Sequence, residues 1–259
     1  MIIYSWNMLY ENKELTKALV FIERASFDIF CLQEVPEDFL LSLKSLPYHS
    51  AYVCEVELTT KLRAFPIYSV ILSKYPILNR EEITCADIPC QLRTNITRYI
   101  LGFLSDERVI KMVNRKAFFV DVKVEGKPVR VHNLHLPLSH PSQRIKELQS
   151  VMEKNSLRER TILCGDFNIL ETFYISVLNW LLGGKLSDWF LYRNERKNIE
   201  LYFKKVGFLN PFRNKITHPV SQSQLDHIVI SQSCNVIRST VIANRFGSDH
   251  RPIYMDVEL

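Results

Sequence analysis

Strand-length apolar runs recur along the chain, and at one point two of them are separated by only a few residues. The runs "AFFVDVKV" and "VRVHNLHL" are joined through "EGKP". That link is far too short for a helical crossover and reads as a hairpin loop containing glycine. A simple doubly wound parallel sheet needs a crossover after every strand, so it is excluded. Further strand-like runs are "MIIYSW", "DIFCLQEV", "IYSVILS", "RTILCGDFN", "QLDHIVIS", "NVIRSTVI" and "PIYMDVEL". In the last, Ile253, Met255 and Val257 alternate with Tyr254, Asp256 and Glu258, the period of a half-buried strand. Helical spacing appears in "ELTKALVFIERA" through Leu15, Ala18, Leu19 and Ile22, and again in "DFLLSLKSL". "SHPSQRIKELQSVMEKN" offers Ser139 as a cap, Pro141 in the first turn, and Ile145, Leu148 and Met152 on one face. Two more helices are expected around "FYISVLNWLLGG" and "NIELYFKKVG". Strands outnumber helices. The expected α/β architecture is two mixed sheets packed face to face as a sandwich, with helices on the outer faces.

The 259 residues suffice for one large core, and no shift in composition marks a boundary, so residues 1–259 are read as a single domain. The chain opens directly in a strand-like run, and no apolar stretch approaches the length of a membrane span. Its six cysteines form no CxxC pair and most sit in apolar runs, which suits buried thiols in a reducing compartment. A cytoplasmic monomer is the expectation. The net charge of +5 favours a polyanionic partner without naming one.

Five of the expected strands carry polar residues at one end. The first closes on Asn7, the second on Gln33-Glu34, another on His135 in "HNLH". A fourth ends in "GDFN" with Asp166 and Asn168, and "QLDHI" starts a strand at Asp226. Asp249 and His250 stand at the mouth of the terminal strand. Each alone has a structural explanation: Asn7 as a cap, Glu34 as a first-turn carboxylate, Asp166-Asn168 as an Asx turn, His135 as a core histidine. Together they have the contents of a hydrolytic phosphate site. Glu34, Asn7 and further oxygen ligands suit a hard divalent cation, magnesium with manganese as a substitute. Two histidines supply a base and an acid near neutral pH, and Asp226 could hold one in a fixed tautomer. No HExxH and no His-rich run supports a zinc hydrolase.

The motifs "SWNMLY", "CLQEV", "VHNLHL", "LCGDFN", "QLDHIVIS" and "GSDHRPI", in this order, resemble the endonuclease/exonuclease/phosphatase superfamily. This is the fold of deoxyribonucleases of the pancreatic type and of magnesium-dependent phosphodiesterases. The resemblance runs from residue 3 to residue 257. It implies Glu34 as the principal magnesium ligand with Asn7 beside it, and Asp249 supporting the metal region. It implies His250 as general base, oriented by Asp226, and Asp166 and Asn168 acting on the scissile phosphate and its attacking water. His135 matches a second histidine that contacts the phosphate or protonates the leaving oxygen. Arg115, before "KAFFVDV", is a candidate phosphate contact, the alternative being an exposed charge at a strand edge.

The segment "TTKLRAFP" has no glutamate where deoxyribonuclease-like members carry an acid paired with the second histidine. His135 itself departs from the branch acting on abasic sites, and "LDHI" departs from the "CDRI" of inositol phosphatases. Residues 85–98 and 171–184 look individual and are expected to set the substrate. Three readings follow. A nuclease or related nucleic-acid phosphodiesterase is favoured by the basic charge. A phosphoesterase for lipid headgroups or small phosphates is the second. A catalytically inactive binding module is the third, and it would call for loss of residues such as Glu34, Asp166 or His250, all of which are present.

Overall fold

Alternation between two apolar environments organises the long strands. The computed structural model describes residues 1–59, 64–87, 111–138, 140–154, 160–171 and 189–259, together with 177, 180, 181 and 185. One sheet is built from β1 (Ile2–Asn7), β2 (Ile29–Pro36), β3 (His49–Thr59), β4 (Ala64–Ser73), β6 (Lys111–Val113), β12 (Asn235–Val241) and β13 (Ile253–Glu258). Its order is β12-β13-β1-β2-β4-β3-β6. The other holds β5 (Ile77–Thr84), β7 (Lys116–Val124), β8 (Lys127–His135), β9 (Thr161–Asp166), β10 (Phe208–Leu209) and β11 (Asp226–Ser231), in the order β10-β11-β9-β8-β7-β5. Among the described pairs only β1 with β2 and β8 with β9 run parallel. The sheets are therefore mixed, as the hairpin required.

Odd residues of β1 and β2 and even residues of β9 and β11 face the space between the sheets. Ile3, Ile29, Cys31, Ile162, Cys164, Ile228 and Ile230 meet there in one core, joined by Val129 and Val131 of β8. The opposite faces are covered by helices. On the first sheet, α1 (Leu15–Arg24) and α2 (Glu37–Lys44) bring Ala18, Ile22, Phe39 and Leu43 against Tyr4, Trp6, Phe30 and Leu32. On the second, α3 (Pro141–Lys154) and α4 (Trp189–Lys205) bring Leu148, Met152, Ile199 and Phe203 against Phe119, Leu134 and Leu163. A sandwich with outer helices is the result.

Several elements differ from the sequence reading. β3, β5, β6 and β10 were not among the expected strands. β5 is an edge strand with Leu78–Glu82 exposed, so no alternation marks it. The alternation of β3 is broken by a bulge between Cys54 and Val56. α4 begins at Trp189, before the expected "NIELYFKKVG". Ser139 lies outside the described residues, as do nearly all of "FYISVLNWLLGG" and most of the two segments expected to set the substrate. Cys31, Cys164 and Cys234 are buried free thiols, Cys54 and Cys85 are partly exposed, and Cys90 lies outside the described residues. Among the described residues no helix is long and apolar enough to cross a membrane.

Two buried histidines under the helices carry an acid liability. His132 of β8 is fully buried, and neither ring nitrogen has a hydrogen-bond partner among the described residues. Burial, followed by the Arg130 charge, pushes its pKa down to about 3. His227 is pushed well below its usual range by burial and by Arg196, whose guanidinium lies 2.6 Å from its Nε2. Both folded values lie below the unfolded value of about 6.5, so the unfolded chain binds these protons first. Stability is complete above that pH and falls as acid is added, by at most about 1.4 kcal/mol per pH unit for each histidine. His132→Leu should keep stability at pH 7 and flatten the decline between pH 6.5 and 4, measured by urea unfolding. An unchanged slope would show that His132 is not one of the sensitive groups.

Candidate active site

The alternation that fills the core also delivers the polar residues. Asn7 continues the series Ile3, Ser5 on the inner face of β1, and Asp166 continues Ile162, Cys164 on β9. His135 continues Val129, Val131, Asn133 on β8, while Asp226 begins the inner series of β11. Register brings them to one end of the sandwich: Asp166 stands opposite both His135 and Asp226, and Asn7 opposite Gln33. Gly165 makes the close approach possible, since a Cβ there would lie 1.8 Å from the Leu134 carbonyl oxygen.

A bulge in β2 adds a carboxylate that alternation would misplace. The β2–β4 register shifts between Leu32 and Val35, and Glu34 adopts φ 54°. This irregularity turns Glu34 toward the inner face, where its Oε1 accepts a hydrogen bond from Asn7 Nδ2 at 3.0 Å. The same nitrogen donates to Asp166 Oδ2 at 3.0 Å, so one amide clasps carboxylates from both sheets. Asn133 Nδ2 closes the gap behind the bulge, donating to the carbonyls of Leu32 (2.9 Å) and Val70 (3.0 Å) across the sheets. Its Oδ1 accepts from Gln33 Nε2 at 2.7 Å. On β3, Glu55 extends the inner series Ala51, Val53 as far as the bulge between Cys54 and Val56; it receives the Ser69 hydroxyl and lies 2.9 Å from His135 Nδ1.

Two imidazoles flank Asp166. His135 Nε2 lies 3.8 Å from Asp166 Oδ2 and 3.8 Å from Glu34 Oε1. His250 Nε2 lies 3.7 Å from Asp166 Oδ2, and its Nδ1 is held by Asp226 Oδ2 at 2.9 Å. Burial alone would lower both histidines, but the carboxylates outweigh it. Glu55, Asp166 and Glu34 raise His135 to about 9. Asp226, Asp166 and Asp249 raise His250 well above its usual value. Glu34 is raised by burial despite the opposing His135 charge and Asn7 hydrogen bond. Asp249 would also rise through burial, yet the His218 hydrogen bond and the His250 charge bring it down to about 2. The loop carrying His250 is fixed by Ser248, whose hydroxyl donates to Asn7 O (2.8 Å) and accepts His250 N–H (2.9 Å).

Asn7, Glu34, His135, Asp166, Asp226, Asp249 and His250 thus come together. Asp166 and Asn168 do form an Asx turn, with Asn168 N–H on Asp166 Oδ1 at 2.8 Å, and this leaves Oδ2 to accept Asn7 and face the two histidines. Asn168 also donates its side-chain amide to Leu136 O at 2.8 Å. Arg115 is not an exposed edge charge. It is buried, paired with Glu147 of α3 at 2.7 Å, and donates to the carbonyls of Ala86 and His135. Apolar helix packing around it leaves a buried carboxylate as its partner. Sequence reasoning missed Glu55 and His218. The acid beside His135 was sought in "TTKLRAFP", whereas Glu55 lies just before it; "EVEL", with two charges in a strand-like run, was the available signal. His218 Nε2 lies 3.4 Å from Asp249 Oδ2, and donor atoms of His218, Asp249 and His250 all fall within 4.8 Å of one another.

The two-sheet sandwich thus gathers carboxylates and two carboxylate-paired histidines at one end. The family model described as the Endonuclease/Exonuclease/phosphatase family matches residues 4–250, and the chain belongs to that family. Solved structures share the fold. An endonuclease/exonuclease/phosphatase from Beutenbergia cavernae is 18% identical with TM-score 0.66, over 100% of this chain and 71% of that one. A mannosyl-6-phosphatase from Bacteroides thetaiotaomicron is 17% identical with TM-score 0.66, over 100% of each chain. TDP2 of D. rerio, complexed with single strand DNA product, is 16% identical with TM-score 0.62, over 100% of this chain and 99% of that one. No curated protein matches the chain.

The His135–Glu55 contact is open to a direct measurement. In chelator-treated protein, NMR titration should find His135 still protonated at pH 8, because its pKa stands at about 9. Glu55→Gln removes the leading carboxylate and should bring the value down toward about 6.5. A wild-type His135 that titrates near 6.5 would break the pairing.

Proposed function

We propose that the protein is a magnesium-dependent phosphoesterase that hydrolyses a phosphodiester, with nucleic acid as substrate. The observation that carries this reading is Asp166 Oδ2, bonded to Asn7 and flanked at nearly equal distance by His135 and His250. The donor set fits a hard cation. Glu34 Oε1 and Asp166 Oδ2 converge on one amide nitrogen, Asp249 is ionised beside them, and all are oxygen donors. Glu34 and Asp249 would hold the ion with Asp166 beside them. Asn7, whose Oδ1 accepts Leu9 N–H at 3.0 Å, orients the carboxylates. Bound there, magnesium neutralises charge on the phosphate and the leaving oxygen.

The chain's own groups supply the proton transfers. With a bound cation offsetting the Asp166 and Asp249 charges that otherwise keep the ring protonated, His250 Nε2 would take a proton from the attacking water while Asp226 holds Nδ1–H and stabilises the imidazolium. Asp166 orients that water, and the remaining amide hydrogen of Asn168 reaches the phosphate. His135, gripped by Glu55, gives its Nε2 proton to the departing oxygen. The formal charge of +5 and the DNA-bound TDP2 of like fold support a nucleic-acid substrate. The mannosyl-6-phosphatase of like fold supports a small phosphate instead.

A substrate panel of oligonucleotides and small phosphate esters, run with and without chelator, tests the reading. Magnesium or manganese should restore chelated enzyme, and Glu34→Gln should stay folded but inactive. Against nucleic acid, affinity should fall steeply with salt as condensed counterions are released. Full activity in excess chelator would sink the metal site. A flat salt response, with small phosphates turned over as well as oligonucleotides, would turn the reading to the second substrate class.

The base and its orienting carboxylate should act as a unit. His250→Ala should lower turnover by roughly three orders of magnitude or more, and Asp226→Asn by somewhat less. The double variant should match His250→Ala alone. A double loss equal to the product of the single losses would mean that the residues work separately.

A further inference from the structure

We propose that His218 is a positioning residue that holds Asp249 in place for the divalent cation. The inference rests on the cation site proposed above and extends it to a residue that takes no part in the proton transfers.

His218 is carried on a frame shared with the candidate base. Thr217 Oγ1 accepts the backbone N–H groups of Leu225 (2.9 Å) and Asp226 (3.0 Å), while Thr217 O accepts Arg251 N–H at 2.8 Å. The residue before His218 is thus tied to both Asp226 and the neighbour of His250. His218 and Ser223 are bridged through their backbones, which closes a tight loop over residues 218–223. Inside that loop the backbone N–H of Ser221 donates to His218 Nδ1 at 3.2 Å, with the Ser221 hydroxyl at 2.8 Å. A peptide N–H cannot reverse its role, so Nδ1 must be the unprotonated nitrogen. The proton then resides on Nε2, which faces Asp249 Oδ2 at 3.4 Å.

The tautomer decides between two roles. By distance alone, His218, Asp249 and His250 could form a two-nitrogen, one-oxygen site for a transition ion. Such a site needs the lone pair of His218 Nε2, and the Ser221 peptide assigns that position a hydrogen. What remains is an imidazole N–H directed at one carboxylate oxygen, the arrangement by which a neighbouring group orients a ligand. Asp249 needs such a hold. Its side chain is 35% exposed, and its other oxygen lies 3.9 Å from His250 Nε2. Released from His218, the carboxylate could close on His250 and be lost to the cation. The His218 ring, with its centroid 4.8 Å from that of His250, also limits the space for that movement.

Magnesium binding to the chelator-treated full chain, followed by isothermal titration calorimetry without substrate, tests the proposal. His218→Phe keeps a ring but loses the donor, and should weaken magnesium by about 10-fold or more. His218→Gln can donate from nearly the same place and should recover most of the loss. In turnover assays the His218→Phe defect should shrink as magnesium is raised, because it lies in affinity. Nitrogen-15 NMR of the wild type should show His218 protonated at Nε2 and bare at Nδ1, which decides the matter even if His218→Phe does not fold. Equal magnesium affinity in all three proteins, or a proton on Nδ1, would overturn the role. So would stoichiometric zinc binding that His218→Phe abolishes while magnesium affinity stays unchanged. Glu34→Gln separates the two levels. If it binds magnesium normally, the cation site itself is wrong. If it loses the ion and His218→Phe does not, only the role of His218 falls.

Discussion

Carboxylates crowd one end of the sandwich, and the surrounding structure is arranged to tolerate them. Glu34, Glu55, Asp166, Asp226 and Asp249 come from both sheets and from the loop before the last strand. Brought together without compensation, they would repel one another in a poorly hydrated cleft and take up protons instead. Each has a donor. Asn7 clasps Glu34 and Asp166, His135 lies on Glu55, His250 on Asp226, and His218 on Asp249. The rise of Glu34 through burial shows that this compensation is incomplete.

Rigidity comes from polar contacts buried beneath the cleft. A bulge normally leaves backbone groups unpaired, and unpaired groups inside a sandwich are destabilising. Asn133 removes that penalty by reaching from β8 to two carbonyls of the opposite sheet, and Gln33 completes the contact. The bulge that lets Glu34 face inward is therefore stable only with the second sheet in place. Packing and site geometry are one constraint here: the sheets cannot slide without breaking the hydrogen bonds that fix the carboxylates.

What was legible came from polar residues at strand ends and from the family resemblance of the motifs that carry them. "SWNMLY", "CLQEV", "VHNLHL", "LCGDFN", "QLDHIVIS" and "GSDHRPI" placed Asn7, Glu34, His135, Asp166, Asp226, Asp249 and His250 together by their joint chemistry. The sandwich followed from strand count and the hairpin. The strand bearing Glu55 escaped because a bulge interrupts its alternation beyond Val53, although Glu55 extends the inner series Ala51, Val53. β5 escaped because an exposed edge imposes no pattern. Arg115 showed how a charge before a strand can mislead. Its partner Glu147 lies on a helix 32 residues away, and only tertiary packing makes them an ion pair. His218 was hidden for a related reason, since a loop histidine gains meaning from the backbone N–H that selects its tautomer.

The two histidine pairs are nearly equivalent about Asp166. Each imidazole gives Nδ1 to a buried carboxylate, Glu55 or Asp226, and turns Nε2 toward the same Asp166 oxygen, at 3.8 and 3.7 Å. An in-line displacement at phosphorus needs one group to accept a proton where water enters and another to donate one where the alcohol departs. A pair of tautomer-locked imidazoles on opposite flanks of one carboxylate meets that need with little motion. Their surroundings differ on the outer side, with Glu34 beside His135 and Asp249 beside His250. His218 touches only the Asp249 flank, so the symmetry of the core is broken at the rim, on the side of the proposed base. A partly exposed carboxylate beside His250, faced by His218, makes the two flanks chemically distinct.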